Sequence, residues 1–363
     1  LSGGTNGCLA QGDDYGPELM TSAGAGLAGF VTALTAEDTG TFDALLNREV
    51  RADMVVLDGI CVDDQVWFTG GASTIGAYSI AADFAYFIDR LSATVNPCHG
   101  VLATRLHNLT DDSDIITYIN NNLKATDFGY YDQGRKWIKT GPLLYAGLIR
   151  ADSEGGEKDV FTNISICAGP SVIYNHPDMG GDYTSNFHVG YAALQTTLPP
   201  EQSATFASIP GIRAYGRPYP IKYAKQLLDG VGADGSNALE GKGSYVILTR
   251  NKNNPNGPLV VFDDPTAGFR NNSYRNYQTV HLINSINKDI SAALSPFIGG
   301  PTSPGVLATM EARCQNVLDG YVNSQALRGG RGDGYNYKVT MSGQDAGLGT
   351  VNVYLDLALA TAM

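Results

Sequence analysis

Asp53-Met-Val-Val-Leu-Asp58 is the stretch that decides the fold. It is a continuous apolar run closed by Asp58 and Gly59. Just before it, Thr41 to Glu49 reads as a short helix with Phe42, Leu45 and Leu46 on one face. An unbroken apolar run that follows a helix and ends at a turn signal predicts a central strand buried on both faces of an α/β sheet. Working outward, Gly100-Val-Leu-Ala-Thr104 is a second strand of this kind, and Ile75 to Leu91 reads as an aromatic-rich helix between the two. Asp114 to Leu123 carries Ile115, Ile116, Ile119 and Leu123 at helical spacing. Val160 to Ala168 alternates, placing Val160, Ile164, Ile166 and Ala168 on one face, and Ser171 to Tyr174 adds a short strand. From Asp178 to Tyr219 the prolines Pro199, Pro200, Pro210 and Pro218 break the periodicity, which predicts an extended loop. Ser244 to Thr249 and Leu259 to Phe262 are β-rich again.

The pattern changes near Arg275. Gln278 to Leu294 predicts an amphipathic helix with Ile283, Ile286, Ile290 and Leu294 on its stripe. Ser303 caps a second helix that has Pro304 at its first position and runs to about Ala326, with Leu307, Met310, Cys314, Val317, Leu318 and Tyr321 along its apolar face. Tyr335 to Met341 and Thr350 to Leu359 then read as a β-hairpin. A two-stranded sheet is marginal by itself, and its long, apolar outer strand offers an edge to another chain's strand. We expect segments beyond both Leu1 and Met363, and these would be natural donors of such strands.

The chain has 363 residues, enough for two domains or one large one. Its net charge of −12 argues against a nucleic-acid partner and against anionic membrane surfaces. The uncharged stretch Ala23 to Leu34 is too short to span a bilayer. Five scattered cysteines with no CxxC pair predict reduced, mostly buried thiols rather than a metal knuckle.

No catalytic constellation emerges. Gly71-Ala-Ser73-Thr-Ile75 lacks the closing glycine of a nucleophile elbow, and the five histidines sit in no recognisable signature. Asp58 and the pair Asp263-Asp264 follow apolar strands, where carboxylates hold a metal or, more commonly, cap turns. His176-Pro-Asp178 reads as a loop. Gly230 to Gly243 lacks a P-loop ending, Arg331-Gly-Asp333 falls in a turn, and the sequons at Asn108, Asn163 and Asn271 match chance expectation. A hydrolase or metal-dependent enzyme using Asp58, Asp263 or Ser73 is the alternative to a structural protein.

Leu1-Ser-Gly-Gly-Thr-Asn-Gly7 turns sharply, with Gly3, Gly4 and Gly7 free to take positive φ. Alone it admits a phosphate cradle, but no lysine or P-loop ending supports one. Leu1, Gly3, Gly4 and Gly7 fit the leucine–glycine–glycine–x–(Asp/Asn)–Gly element of the tail sheath proteins of contractile bacteriophages and related injection machines. The chain resembles that family also in Phe42 to Asp58, in "LLDGV" from Leu227 to Val231, in Tyr245-Val-Ile-Leu248, in Asp263-Asp-Pro-Thr266, and in the order of the terminal helices and hairpin.

The resemblance implies a subtilisin-like α/β core without a protease site over residues 1–275, with a variable outward-facing insertion over about 67–217. A small α+β assembly domain of two helices and a β-hairpin follows over 276–363. It implies a structural subunit, not an enzyme, with no cofactor and no metal. Such subunits form stacked hexameric rings in a helical homo-oligomer around an inner tail tube, with a baseplate and a tail terminator as further partners. They contract by rigid-body rearrangement, without nucleotide hydrolysis, to drive the tube through the host envelope. The implied place is the virion tail, assembled in the host bacterial cytoplasm, with no nucleic-acid partner and no membrane insertion. Strand exchange would run through the hairpin of Tyr335, Tyr337, Val339, Val351, Val353, Leu355 and Leu357. The helix from Ser303 to Ala326, or its neighbour, would face the tube.

Overall fold

The computed structural model describes residues 52–61, 66–70, 73–78, 84, 87–89, 91–92, 97–104, 128–131, 137–141, 149–151, 157–176, 181–216, 218–219, 224, 245–251, 253–254, 256–267, 274–301, 303–328, 337–342 and 351–360. The described strands are β1 (Met54–Cys61), β2 (Val66–Gly70), β3 (Ser73–Tyr78), β4 (His99–Ala103), β5 (Phe128–Tyr131), β6 (Trp137–Gly141), β7 (Ile149–Ala151) and β8 (Glu157–Asp159). They continue with β9 (Ile164–Gly169), β10 (Val172–His176), β11 (Gly181–Ser185), β12 (Ile212–Tyr215), β13 (Tyr245–Arg250), β14 (Leu259–Val261), β15 (Tyr337–Ser342) and β16 (Asn352–Leu357). The described helices are α1 (His188–Thr197), α2 (Tyr277–Leu294) and α3 (Pro304–Asn323).

The main sheet has the order β1-β4-β9-β13-β14. Its first four strands are parallel, and β14 closes the edge antiparallel to β13. A parallel sheet is covered on both faces, so its strands run apolar without alternation. Accordingly every residue of β4 and β9 is buried. Helical residues Phe84, Phe87, Ile88 and Leu91 are buried, and Phe84 and Ile88 lie over Gly100 of β4. Gly100 lets them approach: a Cβ there would lie 2.5 Å from Phe84 Cε1 and 2.9 Å from Ile164 Cγ2. Val101, one residue on and therefore on the opposite face, joins Phe187, Tyr191 and Leu194 of the α1 region in the main core with Val246, Leu248 and Val261.

Several expectations meet this structure differently. The strand expected to be central and buried, β1, lies at the edge of the main sheet with Met54 to Leu57 half-buried, and it runs past Asp58 to Cys61, with a register shift against β4 after Val56. Ile75 to Tyr78, expected as the start of a helix, belong to strand β3, paired with β2 and β5 in a four-stranded sheet that β6 completes. Ser73 is therefore on no strand-to-helix elbow. Val160 to Asn163 is a 3-10 turn, and the alternation expected through Ala168 gives way to a strand buried on both faces.

The largest difference lies between residues 178 and 219. This stretch holds β11, α1 and β12, not an extended loop, and its Phe187, Tyr191, Ala204 and Ile209 are core residues. The prolines sit after α1, where they stop a helix rather than prevent one. The span 67–217 likewise supplies β4, β9 and α1 to the main sheet and its cover, so it is not one continuous insertion. Cys61, Cys98, Cys167 and Cys314 are buried thiols. Leu1 to Gly7, Thr41 to Glu49, Asp114 to Leu123, Leu227 to Val231, Gly230 to Gly243, Arg331 to Asp333, Asn108 and Asn271 lie outside the described residues.

Candidate functional site

The carboxyl-terminal module is built on the α2–α3 pair. Leu282, Ile286 and Ile290 of α2 share a core cluster with Cys314 and Leu318 of α3, with Leu282 in the place expected for Ile283 and Leu294 packed against the cluster. Ser303 caps α3 as its position requires, its Oγ accepting from the Val306 N–H at 3.4 Å with Pro304 next in the chain. The hairpin of β15 and β16 lies against these helices. Its register sets Tyr337 opposite Leu357, Val339 opposite Leu355 and Met341 opposite Val353. All six pack against the helical cluster. Tyr337 Oη reaches Asp319 Oδ1 at 2.5 Å and lies 3.3 Å from the Gln315 carbonyl, which ties β15 to α3.

Thus Tyr337, Val339, Val353, Leu355 and Leu357 form the inward face of the hairpin. Val351 is half-buried just before β16, and Tyr335 lies outside the described residues. The opposite face carries Lys338 opposite Asp356 and Thr340 opposite Tyr354, which is 58% exposed. Among the described residues the sheet has two strands, so each offers a row of backbone N–H and C=O groups at its outer edge.

Asp263 and Asp264, which follow β14, are both engaged in hydrogen bonds. Asp264 is buried. Its Oδ1 accepts from Tyr191 Oη and from Gln195 Nε2 (2.8 Å), and its Oδ2 accepts from the Ala204 N–H (3.1 Å) and Ser203 Oγ (3.4 Å). Its carbonyl accepts from the Tyr277 N–H at 2.9 Å, the first residue of α2. Burial raises its pKa, and the donors from Tyr191, Gln195 and Ala204 oppose that rise. Asp263 Oδ1 accepts from the Asp264 N–H at 2.9 Å, as a turn-capping aspartate does. Asp264 therefore joins α1, the loop after it and the start of α2. Sequence reading missed Tyr191 and Gln195. Their i, i+4 spacing was the available signal, hidden because the segment read as loop.

A buried serine–histidine pair also occurs. His99 Nε2 lies 2.9 Å from Ser165 Oγ, and Ser165 Oγ donates to the Pro265 carbonyl at 3.1 Å. With its hydrogen committed to Pro265, Ser165 accepts from His99, so Nε2 carries the proton. A histidine donating to the serine cannot be its general base, and the pair is oriented against nucleophilic catalysis. No group of three or more His, Cys, Asp or Glu residues able to hold a metal occurs among the described residues.

No family model matches this sequence, and no curated protein matches it. Solved structures do. The chain superposes over 99% of its length on 86% of a chain from the PVC sheath complex, an extracellular contractile injection system in its contracted state, with a TM-score of 0.55 at 12% identity. A chain of the anti-feeding prophage helical sheath in its contracted state matches at 12% identity and a TM-score of 0.46, covering 77% of this chain and 64% of that one. The sheath tail protein from Desulfitobacterium hafniense matches at 11% identity and a TM-score of 0.45, covering 82% of this chain and 51% of that one. The chain spans under two thirds of the length of these last two. The class its architecture defines is a mixed α/β protein with a parallel-rich sheet and a helix–hairpin terminus. Within that class, its fold is that of a contractile sheath protein.

Proposed function

We propose that this chain is a structural subunit of a contractile sheath. The observation that carries the reading is the fold shared with the PVC sheath chain over 99% of the present sequence. In this reading residues 1–275 form a core around a subtilisin-like α/β sheet, and residues 276–363 form the assembly domain. The outward-facing part falls to the two small sheets, β2-β3-β5-β6 and β7-β8. The subunits stack as hexameric rings around an inner tube, between a baseplate and a tail terminator. A strand from a neighbouring copy adds to an outer edge of the β15–β16 hairpin, whose apolar side chains are already spent on α2 and α3. Because those side chains face inward, exchange runs through backbone groups and tolerates different partner sequences. The particle is a phage tail or a related injection machine, assembled in a bacterial cytoplasm. The work comes from rearranging pre-assembled subunits rather than from catalysis.

Electron microscopy of the purified full-length protein tests this. Rings or hollow tubes are expected. A monodisperse monomer at high concentration would refute the reading.

A further inference from the structure

Three rings form the joint between the main sheet and the carboxyl-terminal module. His99 of β4 meets Tyr277, the first residue of α2, edge to face with centroids 4.5 Å apart. One turn further on, His281 lies 5.2 Å from the same tyrosine ring. The Nδ1 atoms of both histidines are buried and lack a hydrogen-bond partner among the described residues. Both imidazoles therefore sit where a neutral ring fits and a second N–H finds no acceptor.

The charged and titratable groups facing this joint come from several elements, among them the buried Asp264 after β14, whose charge acts on Tyr277 and whose pKa burial raises. Asp53 at the start of β1 is paired with Lys288 of α2. Glu201 approaches His281 from the loop after α1, and the Cys98 thiol, pushed up to about 12 by burial, stays neutral. Burial lowers the pKa of His281, with Asp53 and Glu201 opposing that and Lys288 adding to it. Burial pushes His99 down to about 3, and His281 adds to that effect. Asp53, whose charge opposes the lowering at His281, is already engaged by Lys288, so a new cation on His281 would compete for it. His99 is also bound through Ser165 to Pro265, which bridges to Asn276 immediately before α2.

We propose that the His99–Tyr277–His281 ladder is an acid-sensitive latch, holding the carboxyl-terminal module on the sheet while both imidazoles are neutral and releasing α2 when their Nδ1 atoms take up protons. The inference stands on the joint alone and is independent of the sheath reading. The sign follows from linkage: the released joint binds protons near the ordinary histidine value of about 6.5, and the closed joint does so only at lower pH. Latch stability is therefore complete above about pH 6.5 and falls below it.

Hydrogen exchange of the full chain between pH 7.5 and 5.0, corrected for intrinsic rates, is the test. Amide protection in Tyr277–Leu294 should fall about tenfold per pH unit below about 6.5 for each histidine that gains a proton. Protection of β9 and β13 should hold. His281→Leu should reduce the slope. Should that variant fail to fold, the wild-type imidazole C2–H titrations still decide the matter, with both rings expected to titrate below the ordinary histidine value. Unchanged α2 protection, loss of α2 and the sheet strands together, or ordinary titration of both rings would overturn the latch.

Discussion

Removing the Asp264 carboxylate should be costly, while neutralising it should not. In Asp264→Ala three donors are stranded in a buried site: Tyr191 Oη, Gln195 Nε2 and the Ala204 N–H. Each orphaned buried group costs about 1–3 kcal/mol. Loss of the buried charge, whose burial is unfavourable, offsets part of this, leaving a net cost of about 3–5 kcal/mol. Asp264→Asn keeps the volume and can place its NH₂ where Oδ1 now sits. Tyr191 Oη can turn to accept, at the cost of an acceptor for its own hydrogen, and Gln195 can turn its amide so that Oε1, now without a partner, accepts as well. The Ala204 N–H keeps its oxygen. One unsatisfied amide atom replaces another and one hydroxyl hydrogen is stranded, so the loss should stay at about 1–2 kcal/mol. Urea unfolding followed by fluorescence measures both. A cost below about 1 kcal/mol for the alanine variant, or equal costs for the two, would refute the donor accounting. A metal- or acid-dependent enzyme would instead lose turnover with either change.

Two further outcomes are expected. Gly100→Ala should destabilise by about 2–3 kcal/mol, because its Cβ would lie 2.5 Å from Phe84 Cε1 and 3.1 Å from Ile88 Cγ1. Adding Phe84→Leu should recover part of the loss, and unchanged stability in the single variant would show that the helix moves freely. Deleting residues 350–359 should abolish assembly while the main sheet still unfolds cooperatively. Tubes formed without β16 would eliminate the hairpin as the exchange site.

Strand β4 was legible because burial on both faces leaves an uninterrupted apolar run, whereas Met54 to Leu57, equally apolar and read as central, proved to be the half-buried edge strand β1. The terminal helices were legible from their 3.6-residue stripes and from the Ser303-Pro304 start. Helix α1 was not. Gly190 inside it, the exposed Val189 and the prolines after it weaken the local signal, while tertiary contact supplies what propensity lacks. His188 Nε2 bonds the Leu57 carbonyl at 3.1 Å, and Tyr191 is buried in a core cluster with residues of β4, β9, β10, β13 and β14. The role of Asp264 was hidden for the same reason: a carboxylate after a strand looks alike whether it binds a metal, caps a turn or receives buried donors from 60 to 73 residues away.

The sequence by itself therefore determined the α/β class, the helix–hairpin terminus and the resemblance to contractile sheaths, because these rest on periodicity and local turn chemistry. Only the tertiary structure decided which side of the hairpin is spent on its own helices, which carboxylate is saturated with donors and which histidines flank Tyr277 at the joint. Those properties depend on groups brought together from distant parts of the chain, and neither spacing nor composition encodes such pairings locally.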